Sequence, residues 1–456
     1  MPVKRFFSIL NVLLILALLA ACTTPAAQVP ETGQTTVPEG EQATTPAQAQ
    51  GGGATTLRVW IAWGDNPAQL QGLFDQYGEA NNVKVEVTAP VEDDKILAAL
   101  TGSEPPDILV LGGGDLVKSW DREGLVTPLD NLITQYGIET NDMYAAPLAQ
   151  CKDNTGRILC LPWGNDVYAL FWNKDLFEDA GLDPEQPPRT MEELAEFADK
   201  LTIKDDSGDL TQVGFIPDFS WSHTDLYARM FGGFWYSDDG TQVTLDSQPM
   251  IDALKWQQQF YSKYGADQVL AFTSAMGGYM SPDQGFYAGK IAMMVEGEWQ
   301  VGPNFIQQFK PELNYGVAPF PPPADHPDRA GTVVSQGTVA LIPAGVKDQD
   351  ASAKLLAWMM SPEVLADEMI ANYNLPTSNK AAADPRFQEN EKFVIFMDLM
   401  AGQNAKPAIT TPISSELNEA LAQIEEQVLH AGADPEPLLK EAQAKFQPML
   451  EEALKQ

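Results

Sequence analysis

Apolar and polar positions change their period several times along this chain, and each change marks an element. Leu57–Trp63 is a short apolar run that reads as a strand, and Pro67–Gly78 then puts Leu70, Leu73, Phe74 and Tyr77 on one helical face. Val83, Val85 and Val87 alternate as a second strand, Ile96, Leu97 and Leu100 mark a helix, and Asp107–Leu111 makes a third strand. Alternation of strand and helix predicts a parallel sheet. In open sheets of this kind ligands sit beyond the carboxyl ends of the strands, which draws attention to Trp63-Gly64-Asp65 and Gly112-Gly113-Gly114-Asp115.

The stretch 156–201 carries the sharpest local signals. Val167–Trp172 is continuously apolar and suits a strand covered on both faces. Asn173 can cap a short helix over Lys174–Ala180, with Gly181 where a left-handed residue closes it. Pro184, Pro187 and Pro188 hold the next connection extended. Thr190 and Glu193 then form a capping box before Leu194, Phe197, Ala198 and Leu201 at helical spacing. Further on, Asp238-Asp239-Gly240 is turn chemistry between Trp235-Tyr236 and Val243–Leu245. Leu417, Leu421, Ile424 and Val428 form a stripe behind Ser414 or Ser415, and a last helix starts near Asp434-Pro435.

The first 54 residues have a different pattern. Lys4 and Arg5 precede an apolar run from Ile9 to Ala21 that is shorter than the ~20 residues of a membrane span, so 1–21 reads as a secretory segment. Leu19-Ala20-Ala21-Cys22 resembles a bacterial lipobox, which implies a mature chain anchored to membrane through lipid on Cys22. An ordinary signal peptide with an incidental cysteine is the alternative. Residues 22–54 are rich in Thr, Pro, Ala, Gln and Gly, and read as a disordered tether with a reach of roughly 30 Å.

At 456 residues the chain exceeds one hydrophobic core and predicts two lobes. Its net charge of −35 argues against nucleic acid or an anionic membrane surface as partner. Cys151 and Cys160 flank Asn154-Thr155-Gly156, and in an exported protein they predict a disulfide across a hairpin. A zinc site would need more ligands than the scattered His223, His326 and His430 supply. Neither a dinucleotide fingerprint nor a Walker loop is present, since Val117 replaces the last glycine of the first and Ile291 the hydroxyl residue of the second. No cofactor is expected. Asp205–Asp209 lacks the remaining ligands of a calcium loop, and no nucleophile elbow occurs. Glu298 with Asp166 or Asp65 could form a glycosidase pair, or the same carboxylates could accept hydrogen bonds from hydroxyl groups.

Trp63, Trp163, Trp221, Trp235 and Trp299 stand at strand ends, loops and helix starts. Their rings suit the C–H faces of sugars, with packing in the core as the other reading. Trp60, Trp120, Trp172, Trp256 and Trp358 lie within strand or helix patterns and are assigned to the core.

Read in order, Leu161-Pro162, the run to Trp172, Asn173-Lys174-Asp175-Leu176-Phe177, Ala180-Gly181, the paired prolines and Thr190–Leu194 resemble the central motif of extracellular solute-binding proteins of the carbohydrate-binding, maltose-binding-protein-like group. Phe286–Met294 with Gly297-Glu298-Trp299, Tyr315–Pro321, Gly331–Pro343, Ser361-Pro362-Glu363 and Leu375-Pro376-Thr377 continue the resemblance over about 57–430. It implies an α/β, two-lobed periplasmic-binding-protein fold of type II, each lobe a mainly parallel sheet flanked by helices, with the ligand in the cleft. Lobe 1 is then 55–163 and 319–366, and lobe 2 is 164–318 and 367–456, with crossings near Pro162–Asp166, Tyr315–Pro319 and the 360s.

The resemblance further implies a monomer, not an enzyme, that closes on its ligand by a hinge outside the cytoplasm and delivers it to the permease subunits of an ABC importer. Residue by residue, Asp65 and Asp166 match acidic ligand contacts and Trp299 matches a ring that stacks on sugar. Trp63, Trp163, Trp221, Trp235, Glu298 and Gln336 join them by neighbourhood. No tryptophan follows Trp358, so the resemblance does not extend to maltodextrin specificity, and the expected ligand is a mono- or oligosaccharide. A phosphorylated polyol or metal chelate held by Arg58, Arg189 or Lys95 is the rival reading, and a surface glycosidase or adhesin a second.

Overall fold

The computed structural model describes residues 55–64 and 66–455. The secretory segment, Cys22, the tether to residue 54 and Asp65 lie outside the described residues. Thr56–Ile61 pairs in parallel with Lys84–Thr88 on one side and Ile108–Leu111 on the other, as the first apolar runs predict. Leu57, Val59 and Ile61 face inward and are fully buried. The helix Pro67–Asn81 packs Leu70, Leu73, Phe74 and Tyr77 beneath them, capped by the Asn66 side chain, which accepts from Gln69 N at 3.3 Å. Val339–Leu341 then joins from far along the chain, antiparallel to both Ile108–Leu111 and Leu161–Pro162, and completes a five-stranded sheet.

A second five-stranded sheet orders Tyr315–Ala318, Tyr168–Asn173, Ile291–Gly297, Leu210–Phe215 and Ile203–Lys204. The expectation of a mainly parallel sheet fails here. Only Leu210–Phe215 and Ile291–Gly297 run parallel, and the other three pairings are antiparallel. The reason is where the chain enters: Tyr168–Asn173 runs away from the passage at 161–167, and Ile291–Gly297 must run back toward it. The register Tyr168↔Gly297 therefore sets the end of one strand beside the start of the other. Both faces of Tyr168–Asn173 are covered, as its unbroken apolar run predicts. Ala169 and Phe171 join the core shared with the first sheet, while Leu170 and Trp172 join a core roofed by the C-terminal helices Ser414–Glu425 and Pro435–Ala453.

Local signals hold closely in this region. Asn173 Oδ1 accepts from the amides of Asp175 and Leu176 at 3.1 and 3.2 Å, and Thr190 Oγ1 accepts from Glu193 N at 3.1 Å. The returning contact of the capping box goes one residue further out, to Arg189 N at 2.7 Å from Glu193. The Cys151–Cys160 disulfide forms and is buried against Val117 and Trp120. Asp153 folds the intervening turn by accepting from the amides of Thr155 and Arg157.

The boundary expected between 366 and 367 does not fit the chain. It falls inside the uninterrupted helix Pro362–Asn372, whose buried Glu368 accepts from Gln69 of the Pro67–Asn81 helix at 2.9 Å and from Asn372 at 2.6 Å. Just after this helix Leu375–Pro376 pairs with Gly164–Asn165. Gly337 packs against this pairing: its φ is 145°, and a Cβ there would lie 2.7 Å from the Gly164 carbonyl oxygen and 2.9 Å from Asn165 Cα, so no larger residue fits.

Candidate functional site

The two sheets aim their ends at one region. Trp63 follows the carboxyl end of Thr56–Ile61, Gly112 follows Ile108–Leu111, and Thr338 precedes Val339–Leu341, held beside them by the antiparallel register Val339↔Leu111. From the other side come Asp166, before Tyr168–Asn173, and Trp299, in the turn Glu298–Val301 after Ile291–Gly297. With Tyr279 and Asn374 these residues line a cavity of about 240 Å³.

Its walls are aromatic. Trp63 stacks on Trp163 with ring centres 6.2 Å apart and planes at 26°. Trp163 itself is completely buried and leans on Phe74 at 6.3 Å, so the structure makes it the backing of Trp63 rather than part of the cavity wall. Across the cavity Trp299 sits 5.9 Å from Trp221 and edge-on to Tyr168 at 6.1 Å. The Trp299 ring folds back over Gly297, where a Cβ would fall 2.3 Å from it, which explains why glycine stands two residues before this tryptophan. Tyr279 closes the group at 5.1 Å from Trp221 and 5.2 Å from Phe305. The indole N–H groups of Trp63, Trp221 and Trp299, and that of Trp163 behind them, are buried and have no hydrogen-bond partner in the protein.

The polar side of the site is a carboxyl pair. Asp166 N donates to the Gln336 carbonyl oxygen at 2.6 Å, which pins the backbone of the crossing. Glu298 is fully buried, hydrogen-bonds Asp166, and accepts from Val167 N at 3.3 Å. Asn374 Nδ2 reaches toward both, at 3.4 Å from Asp166 Oδ1 and 3.5 Å from Glu298 Oε1. Burial, and then the neighbouring Asp166 charge, push the Glu298 carboxyl well above the usual carboxylate range. Asp166 is the member of the pair that reaches the cavity wall.

A second cavity of about 210 Å³ adjoins the first across the Asp166–Gln336 bridge. Gln336 lines it together with Trp235, which stacks on Phe234 at 4.7 Å, and with Asp115, Ser222, Asp225, Asn418 and Glu425. Burial raises its three carboxyl groups: Asp225 to about 6, Glu425 to about 7, and Asp115 above its usual value despite a hydrogen bond from Asn418 at 3.2 Å.

Of the sequence candidates, Trp63, Asp166 and Trp299 line the first cavity, Trp235 and Gln336 line the second, and Trp221 and Glu298 stand directly behind the first. Sequence reasoning missed Tyr279 and Asn374. Tyr279 lay in a Gly- and Ser-rich loop upstream of Phe286–Met294, and Asn374 immediately precedes the Leu375-Pro376-Thr377 block, so in both cases adjacency to a family block was the available signal. The acidic residues of the second cavity had no such marker among 63 Asp and Glu.

Comparison with known proteins agrees with this geometry. The family model for bacterial extracellular solute-binding protein matches residues 63–366. A maltotriose-binding protein of Pyrococcus abyssi is 22% identical over 80% of this chain and 75% of its own length. The sn-glycerol-3-phosphate-binding periplasmic protein UgpB of Escherichia coli K12 is 26% identical over 72% of this chain and 76% of its own. Among solved structures, CpMnBP1 with mannotriose bound superposes with a TM-score of 0.78 at 28% identity, covering 86% of this chain and 99% of that one.

Proposed function

Because this chain belongs to the bacterial extracellular solute-binding protein family and has its type II fold, we propose that it captures a neutral mono- or oligosaccharide between its two sheets and hands it to an ABC importer. One observation carries the reading. Among the described residues, tryptophan and tyrosine rings, carboxyl groups and amides line the two cavities, and no lysine or arginine does. Flat apolar rings take the C–H faces of a sugar, while Asp166, Asn374 and the unpaired indole N–H groups fix the directions of its hydroxyl groups.

A phosphorylated ligand, such as the one named for UgpB, calls for basic partners. The three considered for that role are engaged elsewhere: Arg58 bonds the Glu104 and Pro105 carbonyl oxygens, Arg189 pairs with Glu193, and Lys95 lies over the Trp60 ring. The Asp166–Glu298 pair also disfavours a glycosidase, because its two carboxyls hydrogen-bond directly, whereas the catalytic pair of such an enzyme stands at least about 5 Å apart.

Anchoring through lipid on Cys22 outside the cytoplasmic membrane, the division into lobes 55–163 with 319–366 and 164–318 with the remainder (its last boundary moved past the helix Pro362–Asn372), and action as a monomer belong to the same proposal. Thermal-shift titration with mannobiose, mannotriose, maltotriose and glycerol 3-phosphate tests it. A ligand at about 100 times its Kd adds about 2.7 kcal/mol of stability. A concentration-dependent rise with a neutral sugar is expected, and a rise with glycerol 3-phosphate alone would overturn the reading.

A further inference from the structure

Three side chains from two helices close a ring of hydrogen bonds just ahead of Asn374. Gln69 Nε2, in the first turn of Pro67–Asn81, donates to Glu368 Oε2 at 2.9 Å. Asn372 Nδ2 donates to Glu368 Oε1 at 2.6 Å and to Gln69 Oε1 at 3.0 Å. Glu368 is completely buried and Asn372 nearly so. Both carboxyl oxygens of Glu368 and both polar atoms of the Gln69 amide are satisfied within the ring. Neither helix can slide along the other without leaving one of these buried groups unmet.

Each helix has one end at the first cavity. Pro67–Asn81 starts shortly after Trp63, and Pro362–Asn372 stops shortly before Asn374, and both Trp63 and Asn374 line that cavity. Tyr373 turns the chain between Asn372 and Asn374 with a φ of 56°, and Asn374 N donates back to Met369 O at 2.9 Å. From there the antiparallel register Leu375↔Asn165 sets Asn374 beside Asp166. That pairing is only 2 residues long, so what precedes Asn374 has to hold it as well. Tyr373 also packs on the turn that carries Trp299: a Cβ on Gly302, which follows Glu298–Val301, would lie 2.7 Å from Tyr373 Cβ.

We infer that Gln69, Glu368 and Asn372 are positioning residues for the sugar site: their ring locks the end of Pro362–Asn372 to the start of Pro67–Asn81 and so holds the Asn374 amide at the Asp166–Glu298 pair. The inference rests on the sugar-binding reading above. None of the three lines the cavity, so their effect on a ligand passes through Asn374. That residue is sensitive to small shifts. Its Nδ2 stands 3.4 Å from Asp166 Oδ1 and 3.5 Å from Glu298 Oε1, at the outer limit of a hydrogen bond, so a displacement of a few tenths of an ångström breaks both contacts.

The test is a double-mutant cycle, read by calorimetric titration of the full chain with mannotriose at pH 8, above the value of about 7 to which burial raises Glu368. Gln69→Met keeps the bulk of the side chain and removes its ring contacts. Gln71→Met is the control, since it strips the same helix of its bonds to Val85 O and Val87 N on the edge strand instead. Gln69→Met is expected to weaken binding at least fivefold and Gln71→Met less than twofold. Asn372→Ala, from the other helix, should reproduce the loss. In an Asn374→Ala background, Gln69→Met should change affinity less than twofold further. Equal losses in Gln69→Met and Gln71→Met, or a fivefold loss from Gln69→Met that persists without the Asn374 side chain, would overturn the inference. Should wild type bind no mannotriose, the sugar reading fails separately and the ring is judged on the free protein by amide hydrogen exchange. The Asn374 amide should then exchange at least tenfold faster in Gln69→Met than in wild type or Gln71→Met, and equal rates would sink it.

Discussion

Trp221 and Trp299 come from turns 78 positions apart in the chain, yet their rings meet at 5.9 Å and 42°, with Tyr168 edge-on to the second of them. Trp299 is the ring of this aromatic corner that lines the cavity, with Trp221 behind it. Trp299→Ala should therefore weaken sugar binding by roughly 2–4 kcal/mol and leave the thermal midpoint within a few degrees of wild type. Titration calorimetry and a melt on the same sample check it. A collapse of the melt would make Trp299 a core residue instead.

Gly297 offers an independent route to the same corner. Its backbone conformation is ordinary, so Gly297→Ala introduces no backbone strain, but the new methyl occupies the space of the Trp299 ring. The ring must swing away, and binding should drop about as far as in Trp299→Ala. Unchanged affinity in this variant would show that the ring position above Gly297 does not matter to the ligand.

The Asp166–Glu298 pair makes a prediction about stability. Glu298→Gln keeps a donor for Asp166 and an acceptor for Val167 N, so the unfolding free energy should stay within about 0.5 kcal/mol of wild type. Glu298→Leu leaves Val167 N and one contact of Asn374 without a partner, and should cost about 1–3 kcal/mol in urea denaturation. Equal losses in the two variants would mean that Glu298 is charged in the fold.

Buried acids also set the pH dependence of stability. Glu296 is raised from 4.5 to about 8, and Glu368 and Glu425 from 4.5 to about 7, each first by burial. Such groups hold a proton in the folded chain that the unfolded chain has lost, so their stabilising effect is complete below about pH 4.5 and drains away as pH rises through these values. His223 acts in the opposite sense, because burial lowers it from 6.5 to about 3, but its effect is confined to pH below 6.5. Lys118, lowered from 10.5 to about 8 by burial, acts above pH 8. Between pH 6.5 and 8 the carboxyls dominate, and the melting temperature should fall across that window, less steeply in Glu296→Gln and Glu368→Gln. A rise over the same interval would contradict the proton count.

How far the sequence could be read depended on the range of the signal. The Asn173 and Thr190 caps, the buried strand at 168–173 and the disulfide turn rest on neighbours within about ten positions, and the parallel start of the first sheet on the strand–helix alternation over 57–111; each is found where periodicity and capping chemistry put it. The antiparallel second sheet was not legible, because a strand's direction depends on where the chain enters the sheet and its alternation is the same either way. Nor was the helix at Pro362–Asn372, whose continuity is reinforced by Gln69, almost 300 positions earlier.

The candidate site divides along the same line. Composition and local pattern alone determined that rings and carboxyls stand at strand ends, and motif order identified the family. Only the tertiary structure decided that Trp63 faces a cavity while Trp163 backs it, and that Asp166 meets Glu298 across 132 positions. A tryptophan gains comparable apolar contact in a core or on a sugar platform, and a carboxyl's proton depends on what lies beside it in space. Sheet register sets both outcomes, and no stretch of ten residues contains it.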